Sequence, residues 1–349
     1  MSVQKYPLNT WYVACTPDEI TMAPFARKIC GIALVFFRNT HGTVVALEDF
    51  CPHRGAPLSL GKVENGQLVC GYHGLRMGDD GATKAMPNQR VQAFPCIQRY
   101  AVVERYGYIW IWPGDKSLAD ESLLPKLEWP NNPNWGYGGG LYHIKCDYRL
   151  MIDNLMDLTH ETYVHASSIG QKEIDEAPVT TKVDGESIVT SRFMDNVMAP
   201  PFWASALRAN DLADDIPVDR WQICRFNLPS HIMIEVGVAH AGKGGYLAPK
   251  ECKASSIVVD FITPESDHSI WYFWGMARDF KPQDSELTNS IRSGQGAIFA
   301  EDLDVLERQQ ENLLRHPDRT LLKLDIDAGG VRARRMIERA IKQEQASAN

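Results

Sequence analysis

Two short segments, each with one cysteine and one histidine, constrain this chain more than any other feature. The first runs from Cys51 to His53, and the second runs from Cys70 to His73. Sixteen residues separate the two segments. Each segment offers one thiolate and one imidazole, so together they offer two sulfur and two nitrogen ligands to metal.

Two cysteines and two histidines are the ligand set of a Rieske [2Fe–2S] cluster, in which the cysteines bind one iron and the histidines bind the other. Structural zinc is the alternative, but such sites pair cysteine with cysteine and histidine with histidine at short spacing. Here each short pair is mixed. Gly55, Gly71 and Gly74 suit tight loops around bridging sulfides. We therefore predict a Rieske cluster bound by Cys51, His53, Cys70 and His73.

Length and composition limit the class of protein. A chain of 349 residues is long enough for two domains. The sequence has no long apolar run and no signal-peptide pattern, so we expect a cytoplasmic protein. The net charge of −8 argues against general nucleic-acid binding. The six other cysteines show no disulfide spacing, and we expect them to be core thiols.

The residue pattern predicts an α+β protein of two domains, an iron–sulfur domain with its linker at 1–140 and a catalytic domain at 141–349. In the first, we predict strands at 33–38 and 44–47 and a hairpin at 100–112 that turns near Gly107. Residues 116–140 are rich in Pro, Asn and Gly, which predicts a linker. In the second, we predict helices at 147–164, 285–315 and 331–345 and strands at 187–193, 221–226, 231–238, 255–263 and 269–277.

A second candidate metal site lies at His160 and His165. The zincin motif needs histidines at i and i+4, and this pair misses by one residue. Residues five apart lie well apart around an ideal helix, so both could bind one ion only if the helix ends or distorts between them. Two histidines and a distant carboxylate form the facial triad of non-haem Fe(II) oxygenases. Ordinary helix histidines are the alternative, but a Rieske cluster needs an electron acceptor.

Helical periodicity in the segment 298–308 indicates which carboxylate could be the third metal ligand. Asp302 shares its face with apolar residues, whereas Asp304 shares its face with charged ones, and Glu301 is intermediate. A carboxylate on an apolar face is costly to bury unless it is paired or bound to metal. Asp302 is therefore the predicted third ligand, and a simple buried hydrogen bond is its alternative role.

Two further polar residues precede the histidine pair. Asp157 lies three residues before His160, where a helix would let it accept a hydrogen bond from an imidazole N–H. Asn154 continues the same stripe. We predict that Asp157 and Asn154 belong to the catalytic site, although Asn154 could be an ordinary surface amide.

With both sites identified, the chain resembles the Rieske non-haem iron oxygenases over nearly its whole length, and within them the oxygenase components of vanillate O-demethylases. Leu75 stands where ring dioxygenases usually carry tryptophan, which favours the demethylating monooxygenases. The resemblance rests on the segments 9–15, 51–57, 71–75, 153–160, 164–165 and 325–330.

The resemblance implies a Rieske domain of stacked antiparallel sheets and a catalytic domain with a curved antiparallel sheet flanked by helices. It implies one [2Fe–2S] cluster, one mononuclear Fe(II), and O2 as co-substrate. NADH and flavin would act through a separate reductase that also carries a plant-type [2Fe–2S] centre. It further implies a homotrimer, in which Asp157 links the cluster ligand His73 of one subunit to His160 of the next.

The implied reaction is O-demethylation of vanillate to protocatechuate and formaldehyde. The alternatives are another methoxybenzoate, hydroxylation of an aromatic ring, and a simple Rieske electron carrier. The carboxylate of a benzoate substrate requires a cation or paired hydrogen-bond donors in the protein. Arg208, Arg225 and His231 are candidates, and the sequence leaves the orientation of their side chains open. Arg54 and Arg76 flank the cluster ligands and could face the reductase.

Overall fold

The computed structural model describes residues 4–90, 94–130 and 132–347. The chain divides into two compact units. One unit holds residues 1–126 together with 263–266 and 341–349, and the other holds residues 127–262 and 267–340. None of the helices in the described ranges is long and apolar enough to cross a membrane.

In the first unit, residues 12–112 form two antiparallel sheets, as the sequence predicts. Its six-stranded sheet has the order β1-β10-β9-β4-β3-β2, and its four-stranded sheet has the order β5-β6-β7-β8. The strands are β1 (Tyr12–Cys15), β2 (Phe25–Ile29), β3 (Ile32–Arg38), β4 (Val44–Glu48), β5 (Lys62–Glu64), β6 (Gln67–Val69), β7 (Arg76–Met77), β8 (Thr83–Ala85), β9 (Arg99–Arg105) and β10 (Tyr108–Trp112).

The predicted hairpin at 100–112 is formed by β9 and β10. Arg105 pairs with Tyr108, so the turn consists of Tyr106 and Gly107. Both have positive φ, 61° and 78°, as a two-residue turn matching the right-handed strand twist requires. All five residues of β10 are buried, which explains its unbroken apolar sequence.

The core of this unit contains the two motif cysteines. Cys51 and Cys70 pack in one buried cluster with aliphatic side chains from β3, β4, β6 and β7. The apolar members around the two thiols include Val35, Phe37, Val45, Leu47, Leu58, Leu68, Leu75, Met77 and Ile97. Burial of Cys51 and Cys70 in this cluster therefore fixes the position of the loops that carry them.

The second unit is a seven-stranded sheet with helices, which confirms the predicted α+β class. The strand order is β11-β17-β16-β15-β14-β13-β12. Its elements are β11 (Gly136–Ile144), α1 (Tyr148–Met156), α2 (Glu161–Val164), β12 (Val179–Asp184), β13 (Ser187–Val197), α3 (Pro201–Ala209), β14 (Val218–Asn227), β15 (His231–His240), β16 (Lys253–Ser266), β17 (Ser269–Arg278), α4 (Ser285–Arg315) and α5 (Ala328–Ser347).

Two local predictions differ from the structure. The predicted helix over 147–164 is broken, since α1 ends at Met156 and α2 begins at Glu161. The glycine run at the end of the predicted linker is part of β11 and pairs with β17. A Cβ on Gly140 would lie 2.6 Å from the Trp274 ring, and a Cβ on Gly139 would lie 2.3 Å from the Trp274 carbonyl oxygen. These glycines therefore allow close approach within a strand, and are not linker residues.

A carboxyl group is buried in the sheet of the second unit. Asp260 on β16 is fully buried, and its Oδ1 accepts a hydrogen bond of 2.6 Å from the Tyr272 hydroxyl. Its Oδ2 has no hydrogen-bond partner. Burial raises the pKa of Asp260 to about 8, and the nearby charge of Asp302 adds to the rise while Tyr272 opposes it. Asp260 therefore keeps its proton to a higher pH than an ordinary aspartate does.

We predict that Asp260 makes the stability of the protein depend on pH. Between its unfolded pKa of about 4 and its folded pKa, the folded chain keeps a proton that the unfolded chain has released. The unfolding free energy should therefore fall as pH rises, by up to about 1.4 kcal/mol per pH unit from this group. Asp260→Asn should remove that contribution in urea unfolding at several pH values. Asp304→Asn, at an exposed position, is the control, and equal slopes in wild type and Asp260→Asn would contradict the assignment.

Candidate functional site

The two cysteine–histidine loops of the first unit have the same backbone hydrogen bonds. In the first loop, the Cys51 N–H donates to the Ala56 carbonyl at 2.9 Å, and the Gly55 N–H donates to the Cys51 carbonyl at 2.8 Å. Gly55 has φ of 68°, which a side chain would strain. The second loop repeats both bonds, from Cys70 to Leu75 at 2.8 Å and from Gly74 to Cys70 at 3.0 Å.

The four side chains of these loops fit a [2Fe–2S] cluster. Cys51 and Cys70 are each 2% exposed, whereas His53 is exposed and His73 is half-buried. The two imidazole rings lie edge to face with centroids 4.6 Å apart. Burial raises the pKa of the Cys51 thiol, so iron would have to displace its proton on binding. Two buried cysteine sulfurs and two more exposed histidine nitrogens are the ligand atoms that such a cluster needs.

The second site depends on a break in the chain after α1. Asp157 ends α1 with extended φ and ψ of −100° and 121°. Its Oδ1 accepts from the backbone N–H and the hydroxyl of Thr159, both at 2.7 Å. An aspartate that binds the backbone two residues ahead competes with helix continuation. His160 and His165 consequently flank the single turn of α2.

The break brings both histidines to Asp302 on α4. The Nε2 atom of His160 lies 3.7 Å from Oδ1 of Asp302, and Nε2 of His165 lies 3.4 Å from Oδ2. One donor atom from each residue lies within 4.8 Å of the others. Asp302 is 2% exposed and His165 is 3% exposed. Three converging ligand atoms with a buried carboxylate fit a single metal ion, and the donor set is that of non-haem iron.

Neighbouring side chains orient these ligands. Nδ1 of His165 lies 2.6 Å from a Glu301 oxygen, which leaves Nε2 for the metal. The Asn154 amide donates to Oδ1 of Asp302 at 3.0 Å. Burial alone would lower the pKa of His165, but the carboxylates of Asp302 and Glu301 outweigh it and raise that pKa.

The predicted bond between Asp157 and His160 is absent. Oδ2 of Asp157 lies 3.9 Å from Nδ1 of His160, which is too long for a hydrogen bond. Nδ1 of His160 is buried and has no partner in the described part of the chain. The prediction assumed an unbroken helix, whereas the carboxylate is engaged by Thr159.

Glu161 anchors the turn between the two histidines to the sheet. Its side chain is buried and accepts from Arg192 at 2.9 Å, from Gln222 at 2.6 Å and from Arg220 at 3.1 Å. Arg192 also donates to the Leu158 carbonyl. Charge-assisted bonds of this kind are stronger than neutral ones, so the position of α2 is fixed by β13 and β14.

A cavity opens on the three converging ligands. The walls are mainly apolar, and α3 and α4 supply Phe202, Trp203, Ile298 and Phe299. The polar lining, besides His160, His165 and Asp302, includes Asn154, Asp157, Glu161, Arg220, Gln222 and Gln295. A small, largely apolar molecule with few polar groups suits such a site.

The candidate anchors for a carboxylate do not line this cavity. Arg208 is exposed and pairs with Asp214, and Arg225 pairs with Asp184 at 2.9 Å. The ring of His231 packs against Phe261. In the first unit, Arg54 is exposed, and Arg76 pairs with Glu64 at 2.6 Å.

Arg220 and Gln222 were not predicted from the sequence to be site residues, and Glu301 was only intermediate between Asp302 and Asp304. Strand alternation could have identified the first two, because β14 buries every second residue from Val218 to Phe226 while Arg225 lies in the opposite phase. Glu301 offered no such pattern, since its neighbours along α4 are mixed.

We predict that Glu301→Ala weakens binding of the mononuclear metal about 10- to 100-fold, since it removes the partner that orients His165. The measurement is retained iron after dialysis against a graded chelator series, with the visible spectrum of the [2Fe–2S] cluster as an internal check. Glu301→Gln keeps an acceptor oxygen and should lose less. Asp304→Ala on the same helix is the matched control, and iron retention in Glu301→Ala equal to that control would contradict the role.

Comparison with known proteins agrees with both sites. The Rieske [2Fe–2S] domain family matches residues 10–98, and the vanillate O-demethylase oxygenase C-terminal domain family matches residues 144–343. The chain is 72% identical to the vanillate O-demethylase oxygenase subunit of Pseudomonas sp. strain HR199, over 99% of this chain and 97% of that one. It is 36% identical to the oxygenase component of dicamba O-demethylase from Stenotrophomonas maltophilia, over 97% and 98%.

Solved structures with a similar fold belong to related oxygenases. Dicamba monooxygenase bound to 3,6-dichlorosalicylic acid superposes with a TM-score of 0.88 at 34% identity, covering 98% of this chain and 99% of that one. Dicamba monooxygenase with non-haem iron and dicamba superposes with a TM-score of 0.80 at 33% identity, with the same coverage. The chain belongs to the vanillate O-demethylase oxygenase family of Rieske non-haem iron oxygenases.

Proposed function

We propose that this chain is the terminal oxygenase that demethylates vanillate to protocatechuate and formaldehyde, using O2 and electrons from NADH. The observation that carries the proposal is the convergence of His160, His165 and Asp302 on a mainly apolar cavity. The family match and the relative at 72% identity support the substrate.

We propose Cys51, His53, Cys70 and His73 as the cluster ligands and His160, His165 and Asp302 as the iron ligands. Iron bound there would supply the activation of O2. One oxygen atom enters a methyl C–H bond and the other leaves as water, which consumes two electrons and two protons. The resulting hemiacetal collapses to a phenol and formaldehyde.

The protein's own contribution is orientation and exclusion of water. Glu301 and Asn154 hold His165 and Asp302 by hydrogen bonds of 2.6 Å and 3.0 Å. The aromatic wall, including Phe202 and Phe299, keeps the substrate methyl group in an apolar environment. Restricting solvent limits side reactions of reactive intermediates.

We further propose the partners and assembly that the family resemblance implies. Electrons would come from a separate flavin- and ferredoxin-type reductase that docks near the exposed His53, in the cytoplasm, where NADH is available. The chain would form a homotrimer, with residues 1–140 carrying the cluster and residues 141–349 carrying the iron. Asp157, 3.9 Å from His160, would then connect the iron site to the neighbouring subunit's cluster. Sedimentation of the iron-loaded protein tests the trimer, and monomeric behaviour would contradict it.

We predict that the iron-loaded protein, mixed with NADH and a cognate reductase, converts vanillate to equimolar protocatechuate and formaldehyde. Oxygen consumption without either product would identify a different arene as substrate. Absence of oxygen consumption with every methoxybenzoate, together with two iron atoms per chain, would instead indicate an electron carrier.

We predict that Asp302→Ala abolishes formaldehyde production and leaves the visible spectrum of the Rieske cluster unchanged. The variant loses one of the converging ligands, whereas the cluster ligands lie on other segments of the chain. The measurements are the amount of formaldehyde formed in a single turnover and the number of iron atoms per chain. A fully active Asp302→Ala protein would show that Asp302 has only a structural role.

A further inference from the structure

A buried group of charges beside the cavity is not balanced. Arg192, Arg220 and Glu161 are each at most 3% exposed. Two guanidinium groups and one carboxylate leave a net charge of +1. Gln222 completes the group but is neutral. An uncompensated buried charge is costly, and one arginine would be enough to pair Glu161.

The hydrogen bonds within this group leave donors unused. Both oxygens of Glu161 are occupied, one by Arg192 and Gln222 and the other by Arg220. Arg220 also donates from Nη1 to the Ile169 carbonyl at 3.1 Å and to Gln171 at 2.6 Å. The Nε atoms of Arg192 and Arg220 are buried without a partner among the described residues.

Arg220 is the member of the pair that reaches the cavity. Among the described residues that line the cavity, it is the one arginine or lysine. Burial lowers the pKa of Arg220 to about 10, with Arg192 adding to the fall and Glu161 opposing it. The guanidinium therefore stays charged at neutral pH.

We propose that the guanidinium of Arg220, which lines the cavity, binds the carboxylate of the aromatic substrate. The inference rests on the proposed function, which it deepens by assigning the residue that selects arene carboxylates over neutral arenes. A carboxylate would neutralise the buried group.

The test compares vanillate with its neutral methyl ester. Equilibrium binding is measured on the iron-loaded protein without reductase, so that no turnover occurs. The variants are Arg220→Gln, Arg220→Lys and, as the matched control, Arg225→Gln, which lies on the same strand in the opposite phase. Benzoate and methyl benzoate are run alongside, because they test the anchor without requiring the demethylation substrate.

We predict that wild type binds the acids more tightly than the esters. Arg220→Gln should weaken binding of the acids about 10- to 100-fold more than binding of the esters, as expected for loss of a charged hydrogen bond. Arg220→Lys should retain part of the preference, and Arg225→Gln should retain all of it.

Equal losses for acid and ester in Arg220→Gln would show a structural role and overturn the proposal, as would an unchanged preference. If Arg220→Gln does not fold, Arg220→Lys decides: a reduced acid-to-ester ratio supports the anchor, and a wild-type ratio overturns it. Should wild type bind the acids through Arg220 yet fail to demethylate vanillate, the anchor stands and the proposed function fails.

Discussion

The iron site depends on a helix break that one aspartate side chain produces. If α1 continued past Asp157, His160 and His165 would lie on different faces, and one ion could not reach both. The bonds from Asp157 to Thr159 end the helix, and α2 restarts as a single turn. Glu161 then ties that turn to two strands. The convergence of His160 and His165 on Asp302 therefore depends on this short segment.

The two candidate metal sites differ in the surroundings of their buried ligand side chains. In the first unit, Cys51 and Cys70 lie among aliphatic side chains, and a pair of short loops with repeated hydrogen bonds fixes them. In the second unit, a buried carboxylate, Asp302, is accommodated by histidines and an amide. A polar, cavity-facing site suits an ion that must leave positions open.

Local motifs indicated the candidate cluster ligands and the histidine pair, because both depend on residues close in sequence. Helical periodicity separates Asp302 from Asp304, and the structure brings Asp302 to the two histidines. Arg220 was not found, because the predicted strand began one residue after it. The glycines of β11 were misread as a linker, since their cause is the Trp274 side chain and backbone more than 130 residues away. Nonlocal packing sets such positions, and a local pattern cannot show it.

His165 lies between carboxylates of consecutive residues on one helix. Glu301 faces its Nδ1 and Asp302 faces its Nε2. One turn of α4 therefore both supplies a candidate ligand and orients another, because Glu301 and Asp302 are consecutive. Any shift of this turn would move the two contacts of His165 together.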